Sequence, residues 1–153
     1  MTFFLPCVPP KATAQHKGAF SLPGGRVRFF KKAHVSKAED TLSLLLLQHR
    51  PAKPMQGPLE VSIQWIFPYR TSEPKRNRLG LIPCVTRPDL DNLSKIISDV
   101  MQKAGFYNDD SQISKLTLSK FWGPTPGIGI RIQPLSDVQQ ALRDADSVGK
   151  ESL

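Results

Sequence analysis

The chain has 153 residues and a mass of 17.0 kDa, and hydrophobic residues make up 39% of it, which suits one globular domain with a real core. Lys and Arg number 21 against 13 Asp and Glu, so the formal net charge is +8, and a surplus of this kind favours a polyanionic partner, nucleic acid first. The longest apolar run, Leu44 to Leu47, is far shorter than the roughly 18–20 residues of a membrane span, so a transmembrane protein is not expected. The sequence also lacks a basic amphipathic helix, so a membrane surface is not the expected partner.

Prolines separate the predicted elements of the first half, because a helix interior excludes them. After a turn at residues 23–25, the segment Arg26 to Phe30 predicts a short strand or hairpin arm. A helix is predicted from Ser36 or Lys37 to His49, with Ser36 as a plausible cap.

The middle of the chain contains the clearest strand and the clearest helix. Apolar residues alternate with polar ones from Leu59 to Phe67, which is typical of a half-buried strand. Residues 68–88 carry five basic residues and four prolines, which favours an exposed basic loop. Apolar residues at steps of three and four from Leu90 to Ala104 then predict an amphipathic helix, which Gly105 would end.

Two further alternating runs, Leu116 to Trp122 and Ile128 to Ile132, flank a turn at residues 123–127, and they predict an antiparallel hairpin. Residues 135–148 are predicted to form a short terminal helix, and the last few residues are predicted to be frayed. Helices and strands do not alternate regularly along the chain. The expected fold class is therefore α+β, a two-layer sandwich in which helices pack on a small mixed β-sheet.

The charges are distributed unevenly along the chain. Residues 1–88 carry a net charge of +10, whereas residues 89–110 contain five aspartates and only two lysines. A basic body around a compact acidic cluster suggests a divalent cation, or an acid/base site, that faces a polyanion. The five aspartates are Asp89, Asp91, Asp99, Asp109 and Asp110.

The spacing of these aspartates is compatible with two interpretations, a structural role and a metal site. Asp91, Lys95 and Asp99 are four residues apart and would stand in one row on a helix face. Aspartates at a helix start or in an Asn-Asp-Asp turn are commonly caps and turn formers. If the fold brings Asp110 to the helix start, however, an all-oxygen set would suit Mg²⁺ or Mn²⁺.

A family resemblance rests on two separated blocks. The stretch RPDLDNLSK (Arg87 to Lys95), followed by Asp99 and then by AGFYNDDSQ (Ala104 to Gln112), resembles the D-L-D-N-L-x-K and D-D-x-Q signature of the RusA family of Holliday-junction resolvases. Weaker similarities extend over roughly residues 2–133. The resemblance implies a RusA-like endonuclease domain over 1–134, followed by a C-terminal extension over 135–153.

The resemblance also implies a function. It indicates an Mg²⁺-dependent endodeoxyribonuclease, with Mn²⁺ as a possible substitute, that acts as a homodimer on four-way junction DNA in recombination and repair. The metal would activate a water that attacks phosphorus in line, and two sites would make paired nicks. Carried over by position, the metal-binding catalytic carboxylates are Asp89, Asp91 and Asp110, and Lys95 is the basic residue of the site. The chemistry of an ammonium favours stabilisation of the transition state by Lys95 over orientation of the water. Asn92 and Asp99 are expected either to orient Lys95 and a metal ligand or to pair on the helix surface, and Asp109, although it resembles a family position, is expected to be structural.

Basic residues near the proposed site are candidates for phosphate contacts. The residues expected to bind DNA are Lys11, Arg70, Lys75, Arg76, Arg78 and Arg87, with Lys17, Arg26, Arg28, Lys31 and Lys32 on the same surface. The segment Pro9 to Thr13 departs from the Asn-containing segment of some relatives. Four aromatic residues are expected to serve packing more than base stacking: Phe29, Phe30, Tyr69 and Phe106.

Two alternative functions remain open. One is a non-catalytic DNA-binding module whose aspartates are helix caps, and the other is a metal-dependent nuclease for other branched nucleic acids. Cys7 and Cys84 are isolated, which favours free thiols in a reducing cytoplasm, and the N-terminal segment does not resemble a signal peptide. His16, His34 and His49 lack the spacing of a zinc site.

Overall fold

The strand from Leu59 to Pro68 lies at the centre of the fold because its alternating sequence separates two faces. In the computed structural model, which describes residues 1–11, 17–31 and 33–135, the side chains of Leu59, Val61, Ile63, Trp65 and Phe67 are buried, whereas the side chains between them are half-exposed. Two helices pack against the buried face in the hydrophobic core, and no described helix covers the other face of the sheet. We call these the helix-covered face and the open face.

Seven strands and two helices are described. They are β1 (Thr2–Leu5), β2 (Lys17–Ser21), β3 (Val27–Lys31), α1 (Ala33–Leu47), β4 (Leu59–Pro68), β5 (Ile82–Pro83), α2 (Leu90–Lys103), β6 (Ile113–Gly123) and β7 (Gly127–Pro134). The main sheet has the order β1-β7-β4-β6-β5, and β2 and β3 form a separate hairpin. Because β4 and β6 are parallel and the other pairs are antiparallel, the sheet is mixed, and the expected α+β class is confirmed.

The predicted hairpin between the last two strands is wrong. β4 lies between β6 and β7, so these two strands do not pair with each other. Their connection contains Pro124 and Pro126, and the fixed negative φ of proline is incompatible with the positive φ of tight hairpin turns. The connection instead crosses the end of β4, where Pro68 lies opposite Gly123 and Ile66 lies opposite Gly127.

The first helix begins three residues earlier than predicted. α1 starts at Ala33, so Ser36 lies within the helix and is not its cap. The buried face of α1 starts with Val35 and continues at helical spacing to Leu46, which gives the helix one more turn of core contact than the leucines alone indicate. The chain then leaves the helix in a turn in which the His49 backbone N–H donates to the Leu46 carbonyl.

The second helix matches its prediction. α2 buries Leu93, Ile97 and Val100 on one face, and Gly105 follows it with φ of 83°, the left-handed conformation that favours glycine at a helix end. Phe106 is fully buried in the core, as expected for a packing residue. The strand predicted at residues 26–30 is also present, as β3 paired with β2.

Three other expectations concern membrane-spanning helices, the two cysteines and the C-terminal extension. The described part contains no helix that is long and apolar enough to cross a membrane. Cys7 and Cys84 are both free thiols. The helix predicted at 135–148 and nearly all of the predicted extension at 135–153 lie outside the described residues.

Gly127 is expected to be intolerant of a side chain. A Cβ atom there would overlap the Phe4 ring and lie 2.7 Å from the Leu5 carbonyl oxygen, which belongs to the backbone of the neighbouring strand and cannot move freely. Gly127→Ala should therefore lower the free energy of unfolding by about 1–3 kcal/mol. Gly129→Ala is a matched control on the same strand, since its Cβ would have 3.9 Å to the nearest atom, and equal urea midpoints for the two variants would contradict the expectation.

Candidate active site

The start of α2 exposes the acidic residues of the predicted site. Asp89 has an extended backbone immediately before the helix, and its carboxylate makes no cap hydrogen bond to the first turn. Asp91 lies in that turn, and both side chains are exposed. The capping role that the alternative reading requires of Asp89 is therefore not observed in the structure.

One face of α2 carries the predicted row of charged residues. Asp91, Lys95 and Asp99 are all exposed, as their spacing of four predicts. Lys95 Nζ lies 3.7 Å from Asp91 Oδ2, and within the described part of the chain Lys95 forms its ion pair with Asp91 alone. Lys95 thus contacts the carboxylate one turn earlier and not Asp99, which was expected to help orient it.

Asp110 reaches α2 from the loop that precedes β6. It lines a surface hollow of about 240 Å³ together with Lys95 and Asp99. Ser94 and Ser98 of α2 complete the helix side of this hollow. The structure therefore brings Asp110 beside Lys95 and Asp99 of the charged row, while Asp89 and Asp91 lie outside the lining of the hollow.

A network of hydrogen bonds fixes the loop that carries Asp110. Asp109 accepts from the Ser111 backbone N–H at 2.9 Å, and Gln112 Oε1 accepts from the Asp109 backbone N–H at 3.1 Å, so the two residues cap a short 3₁₀ turn. Gln112 Nε2 donates to the carbonyls of Met55 and Gly57, both at 3.1 Å. The turn is thereby tied to the segment before β4.

These bonds confirm the structural role expected of Asp109. Hydrogen bonds from Ser111 lower the pKa of the Asp109 carboxyl below its ordinary value, so the cap is charged at neutral pH. The role of Gln112 was not expected, although the D-x-x-Q spacing is the spacing of a capping box.

A buried tyrosine forms a hydrogen bond to the backbone of α2 near the hollow that Asp110 lines. Tyr107 is 1% exposed, and its hydroxyl donates to the Ser98 carbonyl at 2.8 Å. Burial raises the pKa of Tyr107 far above its ordinary value, and the negative charges of Asp110 and Asp99 raise it further. The hydroxyl therefore stays protonated and keeps its bond to α2.

Lys120 is a site residue that the sequence reasoning missed. Its ammonium group donates to the carbonyls of Thr86 at 2.6 Å and Pro88 at 2.8 Å, immediately before Asp89. Lys120 lies opposite the buried Trp65 in the strand register, on the helix-covered face. A lysine at an apolar position of an alternating strand must find hydrogen-bond partners, and that pattern is the signal that could have identified it.

The oxygen ligands that the site offers fit a hard cation in their chemistry. No group of three His, Cys, Asp or Glu side chains is close enough to hold a metal ion among the described residues. Mg²⁺ usually binds through one or two carboxylates, several waters and substrate phosphates, so it does not require a cage of three. Asn92, next to Asp91, is 7% exposed, and its Oδ1 has no hydrogen-bond partner in the described part of the protein. The residues fit Mg²⁺ as an open site and not as a preformed cage.

The basic residues predicted to contact DNA divide into two groups. Arg70 forms an ion pair with Glu73 at 2.9 Å, and Arg78 donates to the carbonyls of Glu73 and Arg70, so these two hold the loop together. The others are exposed and have no ion pair with any described residue: Lys11, Lys75, Arg76 and Arg87. The side chains of Lys17, Lys31, Lys32, Phe29 and Phe30 lie outside the description.

Two aromatic contacts agree with expectation. His49 stacks on Phe3 with ring centroids 4.5 Å apart, which is a packing role and not a metal-binding one. Tyr69 packs against the core, and its hydroxyl donates to the Gly80 carbonyl at 2.5 Å.

Comparison with known proteins identifies the family. Residues 8–133 match the family described as "Endodeoxyribonuclease RusA". The chain is 30% identical over 129 residues to the uncharacterized protein YqaN of Bacillus subtilis (strain 168), which covers 80% of this chain and 90% of the relative. It is also 30% identical over 108 residues to the crossover junction endodeoxyribonuclease rusA of Lactococcus phage r1t, covering 71% of this chain and 78% of the phage protein. The chain therefore belongs to the RusA family of endodeoxyribonucleases.

Proposed function

We propose that the protein is an Mg²⁺-dependent endodeoxyribonuclease that resolves four-way DNA junctions by paired nicks, in DNA recombination and repair. The observation that carries this proposal is the exposure of Asp89, Asp91 and Lys95 at the start of one helix, with Asp110 held beside that helix. These are the positions of the family signature. With DNA as substrate and both thiols free, a cytoplasmic location is part of the proposal.

The acidic side chains supply the oxygen ligands of the proposed site. Asp89, Asp91 and Asp110 would hold Mg²⁺, or Mn²⁺ in its place, and the bound ion would polarise the phosphoryl oxygen and activate water. Exposure of all three carboxylates leaves room for the phosphate and for waters as further ligands.

Lys95 has a separate role in the proposal. The ammonium lies beside Asp91, and an ammonium there would stabilise the extra negative charge that develops on the phosphate. Asn92 is the buried neighbour that would orient these groups through its unpartnered Oδ1, and Asp99 would do so from the rim of the hollow.

Exposed cations outside the acidic cluster would bind the substrate backbone. Lys11, Lys75, Arg76 and Arg87 have no ion pair within the described part, so their charges are free for phosphates. The net charge of +8 favours the approach of a polyanion that the acidic site alone would repel.

The proposed active form is a homodimer. Resolution of a junction requires nicks in two strands of like polarity, and a two-fold dimer supplies two equivalent sites. Sedimentation with and without junction DNA measures this directly. A monomer under both conditions would exclude the dimer.

A panel of substrates tests the proposed function. With Mg²⁺, the protein should cut a mobile four-way junction at paired positions and leave a linear duplex of the same sequence intact, and chelation should stop cleavage. Preferential cutting of flaps or RNA at matched concentration would instead establish another branched substrate. Binding without cleavage under every metal condition would establish the non-catalytic module.

A further inference from the structure

A second hollow is lined in part by the residues that precede Asp89 in the chain, and the proposed chemistry does not use it. It has a volume of about 260 Å³ and lies between the end of β4 and the segment that leads to α2. Arg87 and Thr86 line it, and Arg87 is two residues before Asp89. Two residues of chain span at most about 7 Å, so the hollow lies within one nucleotide of the proposed site.

The lining combines a cationic rim with aromatic walls. Lys11, Arg70 and Arg87 contribute positive charge, while Phe67, Tyr69 and Trp122 contribute ring surface. None of the described residues that line the hollow is acidic. A bare anion would be complementary only to the rim, whereas a nucleotide presents both a phosphate and an aromatic base.

Arg70 is held in a fixed orientation within this lining. Its guanidinium carbon lies 4.1 Å from the centroid of the Trp122 ring, and Glu73 binds the same guanidinium at 2.9 Å. Bases stack on guanidinium planes as well as on aromatic rings, and a plane held by two partners loses little entropy when it binds. Arg70 and Tyr69 both line the hollow, so they offer it a guanidinium plane and an aromatic ring before DNA arrives.

Lys120 connects the hollow to the proposed active site. Its ammonium bonds the carbonyl of Thr86, which lines the hollow, and the carbonyl of Pro88, which precedes Asp89. The Cys84 backbone N–H also donates to the Lys120 carbonyl at 3.1 Å. The wall of the hollow and the start of α2 are therefore held at a fixed separation.

We propose that this hollow binds one unstacked nucleotide of the DNA substrate, adjacent to the phosphate that is cut, with its base against Tyr69 and Arg70 and its phosphate on Lys11 and Arg87. The inference rests on the proposed function and adds to it a site that reads the substrate. A base inside a paired duplex cannot enter a hollow, and the unstacking cost is lowest where pairing is already disturbed. The site thus favours DNA at a branch point over linear duplex.

Junctions that carry a single abasic nucleotide test this proposal. The abasic position is moved one nucleotide at a time across the cut, and binding is measured by fluorescence anisotropy without divalent metal. For the unaltered protein, one position next to the cut should bind about tenfold more weakly than the intact junction, the loss expected for one stacked base. A flat profile across all positions would overturn the proposal.

A pair of valines provides the variant and its control. Val8 is 66% exposed and lines the hollow, so Val8→Trp should fill it and remove the position-specific loss. Val85 is 85% exposed and does not line it, so Val85→Trp should keep the loss. A loss that persists in Val8→Trp places the base elsewhere and rejects the hollow. If the unaltered protein binds junction no better than duplex, the proposed function itself fails, whereas preferential junction binding with a flat profile rejects only the hollow.

Discussion

Asp91→Asn is expected to abolish Mg²⁺-dependent nicking of a four-way junction while leaving junction binding nearly unchanged. The substitution keeps the shape of the side chain and removes its charge. Asp91 is exposed, and the change removes its ion pair with the exposed Lys95, so the free energy of unfolding should alter by less than about 1 kcal/mol. An effect on cleavage would then report the site and not the fold.

The expected loss is large for two reasons. An amide is a poorer ligand than a carboxylate for a hard cation, so metal affinity at the site should fall. The ammonium of Lys95, 3.7 Å from Asp91 Oδ2, would also lose its neighbouring anion and its defined position. Together these effects should lower the cleavage rate on the order of 10³-fold, to background.

Asp40→Asn is the matched control for this experiment. Asp40 is an exposed aspartate on α1, with no partner among the described residues, and the same change there should leave cleavage intact. Nicking rates under single-turnover conditions and anisotropy titrations without metal separate chemistry from binding. Full activity in Asp91→Asn would reject the assignment of the site.

Local patterns were sufficient to predict the elements on which this site stands. The apolar stripe of α2 and the glycine after it depend on residues within a few turns of one another, and so does the alternation of β4. The charged row on α2 follows from the same periodicity. Pairing between strands depends on contacts that are distant in sequence, and for this reason the insertion of β4 between β6 and β7 was not predicted.

The site residues that were predicted belong to a local pattern, whereas those that were missed depend on contacts distant in sequence. Asp89, Asp91 and Lys95 are named by a contiguous motif. The roles of Gln112 and Lys120 depend on carbonyl groups 55 and 34 residues away in sequence, which nothing in their own neighbourhood specifies. Where a polar side chain occupies an apolar position of a strand, as Lys120 does, the exception to the pattern is itself the indication of a distant partner.

Lys120→Met should uncouple the loop before Asp89 from the sheet and lower cleavage about 100-fold. Methionine keeps the length and apolar stem of the side chain but cannot donate to Thr86 and Pro88. Loss of these charge-assisted bonds should lower the free energy of unfolding by about 1–3 kcal/mol. Because Asp89 directly follows Pro88, a shift of about 1 Å in this loop would misplace a proposed metal ligand, and misplacement of that size costs on the order of 10²-fold in rate.

Three measurements distinguish a positioning role for Lys120 from a purely structural one. Lys120→Met should bind metal-free junction like the unaltered protein but cut it slowly, and Lys120→Arg should recover part of the rate because it restores a cationic donor. Lys115→Met is the control on the open face of β6, where it removes a partly exposed ion pair with Glu60 at 2.8 Å and should leave cleavage unchanged. If Lys120→Met lowers the urea midpoint yet cuts at the unaltered rate, the lysine stabilises the fold without positioning Asp89. Equal losses in Lys120→Met and Lys120→Arg would mean that the two donated bonds are not what holds the loop.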